Sequence, residues 1–438
     1  MKKISTFISL LFFVGCSSSG AWLDKNSEKV STQEHTLFEA ETITYNVAEE
    51  HFSLSANFTT QQASMAVITF GNGYEVMIAN GPSNGSLRTG SLSGIRNIYK
   101  STAKNEIPFS LVIDVKGKNI SIKLDSTEIV NYTQPEMPMR LPQNKNKTLG
   151  KGVISIKSVI GILTIQNLKV EHHNAVVRND GAVQPMDEQT NPIAKLQQNY
   201  FPVIDYHIHL KSIDLNGAWK KSCENGISYG IAPNCGIGFA ITSDDMVKQY
   251  RDTTSHMPFF FGMQGEGREW VSTFSPESRA MFDYVFTDAM TFLDHKNRRT
   301  RLWVDSTVVI DISKEQYMDL IVDKIVKVIN EEPINIYVNP AFLPKEMADQ
   351  YDKFWTDERI NRVTDVLRDK NVALEINARY RIPNFRFIRN AKEKGIKFAF
   401  GTNNGNENIG ALEYCIEAID SCGLVSQDMW FPAKEINQ

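Results

Sequence analysis

Two histidines stand two residues apart in the stretch Phe201-Pro-Val-Ile-Asp-Tyr-His-Ile-His-Leu-Lys211. An apolar run, Phe201 to Ile204, leads into the pair, and in an extended strand His207 and His209 point to one face. Neutral imidazoles so placed offer half of a divalent-metal site. By itself the pair is weak evidence, since two polar residues leaving a buried strand for solvent would look the same. Further chemistry-bearing side chains recur downstream: Asn234, Gln264 with Glu266, Asp288, Asn339, Glu375 with Asn377, and Asn403 with Asn404.

The elements that would position these residues can be read from pattern. From residue 199 onward, apolar runs of strand length alternate with helical periodicity, which implies a parallel sheet with helical crossovers. Strands are expected at 201–206, 229–234, 259–264, 284–289, 334–339, 372–377 and 397–402. Ser313-Lys-Glu-Gln316 has the form of a capping box before a helix over 314–330, and 356–370 and 408–422 carry similar stripes. About seven βα units fit a TIM-like (β/α)7 barrel, in which catalytic groups gather at the C-terminal strand ends. Every one of the seven predicted strands delivers a polar side chain to that rim, which argues for a site.

Two imidazoles and one or two carboxylates suit a single Zn, Mn or Fe ion with an open position. The candidate ligands are His207, His209 and Glu375, with Glu266 or Asp288 as a further ligand or as general base. Such an ion lowers the pKa of bound water or polarises a carbonyl. Asn234, Asn339, Asn377, Arg379 and Asn403 are the candidate substrate contacts. Arg298, Arg301, Arg379 and Arg381 either clamp oxyanions or pair with Asp294, Asp305 and helix acids. The glycines around Glu266 are no phosphate loop, because no Lys-Ser/Thr follows. Trp270 and Trp303 either stack on a sugar ring or fill the layer between barrel and helices.

The first 170 residues read differently. Lys2 and Lys3 precede an apolar run too short to span a bilayer but suited to a secretory signal. It ends at Cys16 before a serine run. Residues 16–34 are polar, as a tether would be. Over 35–172 the pattern is β throughout, alternating in Phe52 to Phe58, Phe109 to Val115 and Ile120 to Leu124, with turns at Gly71–Gly73, Asn80-Gly81, Gly117 and Asp125-Ser126. That pattern implies a two-sheet sandwich. Residues 173–198, beginning at His173, lack periodicity and read as a linker to the barrel at 199–438. A length of 438 residues accommodates two domains, and a net charge of −4 gives no case for nucleic acid. Cys223, Cys235, Cys415 and Cys422 could be oxidised in an exported protein but form neither a zinc pattern nor a disulfide framework, and Cys415, in an apparent amphipathic helix, is expected to be a buried free thiol.

Three resemblances add to this. The N-terminal segment resembles a bacterial lipoprotein signal, which implies that residues 1–15 are removed, Cys16 is lipidated, and the protein is exported and anchored to the cell envelope, in the outer membrane. The β half resembles the jelly-roll, concanavalin-like domains of 3-keto-disaccharide hydrolases through Gly73 to Ile78, Thr89 to Arg96, Pro108 to Tyr132, Leu149 to Ile156 and Ile165 to Val170. That resemblance implies carbohydrate contact, with Glu75 and Arg96 as the residues to test. Glu75 reads equally well as an ordinary solvent-facing strand residue.

The barrel half resembles the polymerase and histidinol phosphatase (PHP) superfamily of metal-dependent hydrolases. The likeness lies in Val203 to His209, Asp283 to Phe286, Leu374 to Asn377 and Phe400 to Asn404. It departs from that pattern where Asn234-Cys235 stands for Asp-His, Asn339-Pro340 for His-Pro, and Asn403 and Gly405 for Asp and His. A His-rich trinuclear cluster therefore cannot form. The expected function is an exported, lipid-anchored hydrolase acting on a carbohydrate or 3-keto-glycoside through a reduced metal site. The alternatives are a glycan-binding lipoprotein without turnover and a PHP-type phosphoesterase.

Overall fold

The computed structural model describes residues 20–81, 87–173 and 181–432. The signal segment and Cys16 lie outside the described residues. Among the described residues no helix is long and apolar enough to cross a membrane.

The first half is a sandwich of two antiparallel sheets. One has five strands in the order Trp22–Leu23, Thr42–Glu49, Gly152–Ile160, Met65–Phe70, Tyr74–Ala79. The other has six: Glu34–Leu37, Leu163–His172, Phe52–Thr60, Phe109–Lys116, Asn119–Leu124, Thr127–Thr133. Period-two alternation builds the core. Phe52, Leu54, Ala56 and Phe58 all point inward and are buried, while the serines and Asn57 between them face out. At the Asp125-Ser126 turn both residues take positive φ (46° and 69°), as a two-residue hairpin requires.

Seven strands form the second half: β1 (Ile204–Ile208), β2 (Ser228–Ile231), β3 (Phe260–Gly265), β4 (Tyr284–Thr287), β5 (Ile336–Tyr337), β6 (Ala373–Asn377) and β7 (Phe398–Gly401). Each pairs in parallel with the next, and β7 returns to β1, so the ring is closed. Its interior is packed with Tyr206, Phe260, Tyr284, Phe286, Ile336 and Val338. Beyond Pro233 the line of β2 resumes as Asn234–Cys235 beside β3. The Ser313 capping box is present, and the helix it starts runs Lys314–Glu331 with its apolar stripe buried. The helix expected from residue 408 begins at Glu413, because the preceding turn is held by Asn406 and by Asp205.

The segment expected to be a linker packs instead as a clasp between the two halves. Glu188 accepts from the Tyr132 hydroxyl (2.8 Å) and from Arg140 Nη1 (2.5 Å) in a buried pocket of the sandwich. A helix, Pro192–Gln198, starts at the Asn191 cap, and its Gln197 side chain donates to the Gly226 carbonyl of the barrel (2.6 Å). Two turns of helix are too few for periodicity to reveal.

The sandwich also supplies part of the barrel's floor. Tyr99 enters the interior cluster near the N-terminal strand ends, with its ring 5.8 Å from that of Phe431. Lys100 pairs with Asp283 at 2.8 Å, and the Trp219 indole donates to the Glu128 carbonyl at 2.6 Å.

Candidate functional site

The opposite end of the barrel gathers the polar residues. His207 lies within β1 and His209 just past it, their rings 5.0 Å apart and nearly perpendicular. His207 is 1% exposed and its Nδ1 donates to Glu375 Oε1 on β6 at 2.6 Å. Its Nε2 faces Gln264 Oε1 at 3.2 Å, and the Gln264 amide nitrogen donates to Glu266 Oε1 at 3.1 Å, which fixes the orientation of that amide. With acceptors at both ring nitrogens, the doubly protonated imidazole is the form that satisfies the site. Burial alone would push its pKa down, but the Glu375 carboxylate, with Asp205 and Asp288 nearby, holds it above the ordinary value.

Both oxygens of Glu375 are engaged. Its Oε2 accepts from the Asn339 amide N–H (2.6 Å) and from Asn377 Nδ2 (3.1 Å). Asn339 Oδ1 accepts from Asn377 (3.1 Å) and Asn403 (3.0 Å), and Asn339 Nδ2 donates to Asp288 Oδ2 (2.9 Å). Asn234 Nδ2 donates to Glu266. The network therefore runs unbroken from Asn234 through Glu266, Gln264, His207, Glu375, Asn377 and Asn339 to Asp288 and Asn403. The seven strand ends converge as their sequence positions implied.

Two carboxyl groups carry marked shifts. Burial first, and then the nearby negative Asp288, push Glu266 up to about 7. Burial also raises Asp205, against hydrogen bonds from the Thr402 hydroxyl (2.6 Å), the Thr402 amide (3.0 Å) and the Gly410 amide (3.0 Å). His209 moves the other way. Burial and the neighbouring His207 charge push it down to about 3, and its Nδ1–H donates to the Ala232 carbonyl at 2.7 Å. It is a neutral imidazole.

This geometry does not fit the expected metal set. Among the described residues no group of three or more His, Cys, Asp and Glu side chains is disposed to hold an ion. Glu375 serves as the partner of a protonated His207, and a Zn, Mn or Fe ion on His207, His209 and Glu375 would have to replace the proton between the first and last of them. The carboxylate is spent on hydrogen bonds.

Two clefts open at this mouth. One, of about 550 Å³, is bordered by His209, Asn234 and the apolar side chains of Ile231, Ile241, Met246 and Tyr250. The other, of about 510 Å³, is bordered by Lys211, Arg379, Asn403 and the loop that follows. Both are in the size range of small-ligand sites.

The remaining expectations sort by burial. Arg96 is 7% exposed and lies over the Tyr132 ring (5.1 Å) against Gly226 of the barrel, so it holds the two halves together and does not face a ligand. Glu75 is half-exposed and paired with Lys147 at 2.9 Å. Arg298 pairs with Asp294 and Asp311, and Arg381 with Glu417. Trp270 is core, whereas Trp303 is exposed. His172 and His173 bond to Glu49 and Asp114. The four cysteines are buried free thiols. Asp205 and Thr402 were missed as site residues, although residue 205 shares the 207–209 alternation.

No family model matches the chain, and no curated protein matches its sequence. Solved structures similar to parts of it include two proposed glycosyl hydrolases of Parabacteroides distasonis ATCC 8503. One is 9% identical over 35% of this chain and 89% of its own, with a TM-score of 0.31. The other is 16% identical over 33% and 89%, with a TM-score of 0.28. The carbohydrate-binding module CBM66 of Bacillus subtilis is 14% identical over 35% and 92%, with a TM-score of 0.23. Likenesses at this level do not by themselves assign an activity.

Proposed function

We propose that this chain is an exported, lipid-anchored hydrolase of carbohydrates whose chemistry sits at the C-terminal mouth of a PHP-like barrel. The observation that carries the reading is Glu266, a carboxyl group raised to about 7 and hydrogen-bonded to Asn234, which borders the 550 Å³ cleft. A group so poised takes or gives a proton at neutral pH, which is what general acid–base catalysis needs. With a 3-keto-glycoside, the substrate class suggested by the sandwich sequence, ionised Glu266 removes the proton beside the ketone. The C–H electron pair becomes the C=C bond as the glycosidic C–O bond breaks, and the departing oxygen is protonated by solvent. Water then adds across the double bond.

In this scheme Asp288 tunes Glu266 through its charge, and the neutral His209 and the rim amides of Asn234 and Asn403 orient the sugar. The buried His207–Glu375 pair fixes β1 against β6 beneath them. The sandwich, with Glu75 on its outer face, is the second glycan-contacting surface.

The test is turnover of 3-keto-glycosides, unmodified glycosides and phosphomonoesters by the purified protein and by Glu266→Gln. The expected outcome is keto-glycoside cleavage that falls about 100-fold or more in the variant. A second reading is supported by the mutual hydrogen bonding of Glu375, Asn339 and Asn377: a glycan-binding protein without turnover. Tight glycan binding with no cleavage in any substrate class would favour it. Chelator-sensitive phosphoester cleavage would favour a PHP-type phosphoesterase, which the missing ligand set supports least.

A further inference from the structure

The cleft between the end of β1 and the loop after β7 is lined by Lys211, Arg379, Asn403, Asn404, Asn406 and Asn408, with no carboxylate in its wall. Its two sides are tied together. The Lys211 and Ser212 amides donate to the Gly405 carbonyl (3.2 and 3.0 Å), and the His209 amide donates to the Asn404 carbonyl (2.8 Å). Gly405 permits that approach, since a Cβ there would lie 2.3 Å from the His209 carbonyl oxygen. Arg379 is steadied by its bond to the Asn403 carbonyl (2.9 Å) and by the Tyr380 ring beneath its guanidinium (5.2 Å). Asn404 braces the far end through the Asn408 carbonyl (2.9 Å).

The charge balance of this cleft is one-sided. Elsewhere on the barrel Arg268, Arg298, Arg359, Arg368, Arg381 and Arg386 each meet a carboxylate. Among the described residues, neither Lys211 nor Arg379 makes an ion pair, although both face one cavity of about 510 Å³. Two cations left without counter-charge in one concave site attract an anion, and guanidinium matches a carboxylate or sulfate oxygen pair. The asparagine amides between them supply donors and acceptors of the kind that pair with hydroxyl groups.

We infer that this cleft recognises a sugar bearing an anionic oxygen group, a uronate carboxylate or an ester sulfate, with Lys211 and Arg379 as its specificity-determining residues. The inference rests on the carbohydrate reading above and narrows it to acidic glycans.

The experiment is calorimetric titration of the full-length protein with trigalacturonate, galactotriose, a sulfated galactotriose and glucose 6-phosphate, at low and at 0.5 M salt. Binding is read, not turnover, so a failed catalytic proposal leaves the result interpretable. The expected result is at least tenfold tighter binding of trigalacturonate or the sulfated trisaccharide than of galactotriose. The preference should shrink in high salt and vanish in Lys211→Gln or Arg379→Gln. Whichever of the two anionic sugars binds more tightly identifies the group. Both substituted side chains are exposed, and the salt dependence reads the same charges without substitution. Equal binding of charged and neutral sugars, a preference that survives in both variants, or tightest binding of glucose 6-phosphate overturns the inference.

Discussion

Replacing His207 by Ala would leave the Glu375 carboxylate, 1% exposed, facing two amide donors and no counter-charge. Removing one partner of a buried pair typically destabilises by about 3–5 kcal/mol, so urea unfolding of His207→Ala is expected to show a loss in that range. Two opposed groups with large shifts contribute to the pH dependence of stability. Glu266, at about 7 in the fold against an ordinary 4.5, keeps its proton longer when folded, so its contribution falls as pH rises from 4.5 through 7. His209, at about 3 against 6.5, stays neutral when folded while the unfolded chain takes up a proton, so its contribution is full above 6.5 and is lost as pH falls toward 3. Unfolding of Glu266→Gln measured from pH 4.5 to 8 should show a shallower decline than the unsubstituted protein, the remainder coming from the raised Asp205 and His207, and an unchanged profile would count against the raised carboxyl. A proton-accepting Glu266 also predicts that kcat/KM on a keto-glycoside rises with pH through about 7.

At the scale of single elements, β7 contributes by what it lacks. A Cβ on Gly401 would lie 2.0 Å from Glu375 Oε1 and 2.8 Å from His207 Cβ, distances that force displacement of the pair. Gly401→Ala is expected to cost about 1–3 kcal/mol by overpacking, checked by thermal unfolding, and to shift the His207 ring resonance in an NMR titration. The short β5 is cut off by Asn339, whose φ of 47° turns its amide toward Glu375, and Asn403 has the same left-handed backbone after β7 (φ 49°). Asparagine tolerates that conformation better than most residues. The strand ends and the Ser313 cap were legible because period and capping chemistry are local. The clasp helix was not, because its stability comes from partners on both halves.

For the whole molecule, the decisive feature is that the two halves are not separable at the barrel floor. Tyr99 belongs to the sandwich but is buried among Phe260, Tyr284 and Trp430 of the barrel. A barrel expressed alone from residue 181 would expose that cluster and the ends of its strands. It is expected to aggregate or unfold at lower temperature than the intact protein, whereas the intact protein should unfold in a single transition. Tyr99→Ala should destabilise by about 3–5 kcal/mol, as loss of a large buried aromatic does, and should separate the two halves' unfolding as followed by calorimetry. Two distinct transitions in the unsubstituted protein would contradict this coupling.

Alternation and strand spacing alone specified two antiparallel sheets, a ring of parallel strands, and one end of that ring as the place where His207, Glu266, Glu375 and the asparagines meet. Those are properties of period and chain order, and they survive any rearrangement of side chains. Whether His207 and Glu375 hold a metal ion or a proton, which arginines remain unpaired, and that Arg96 and Tyr99 bind the halves together were decided only by packing. Each depends on which neighbour from a distant part of the chain reaches a buried polar atom first.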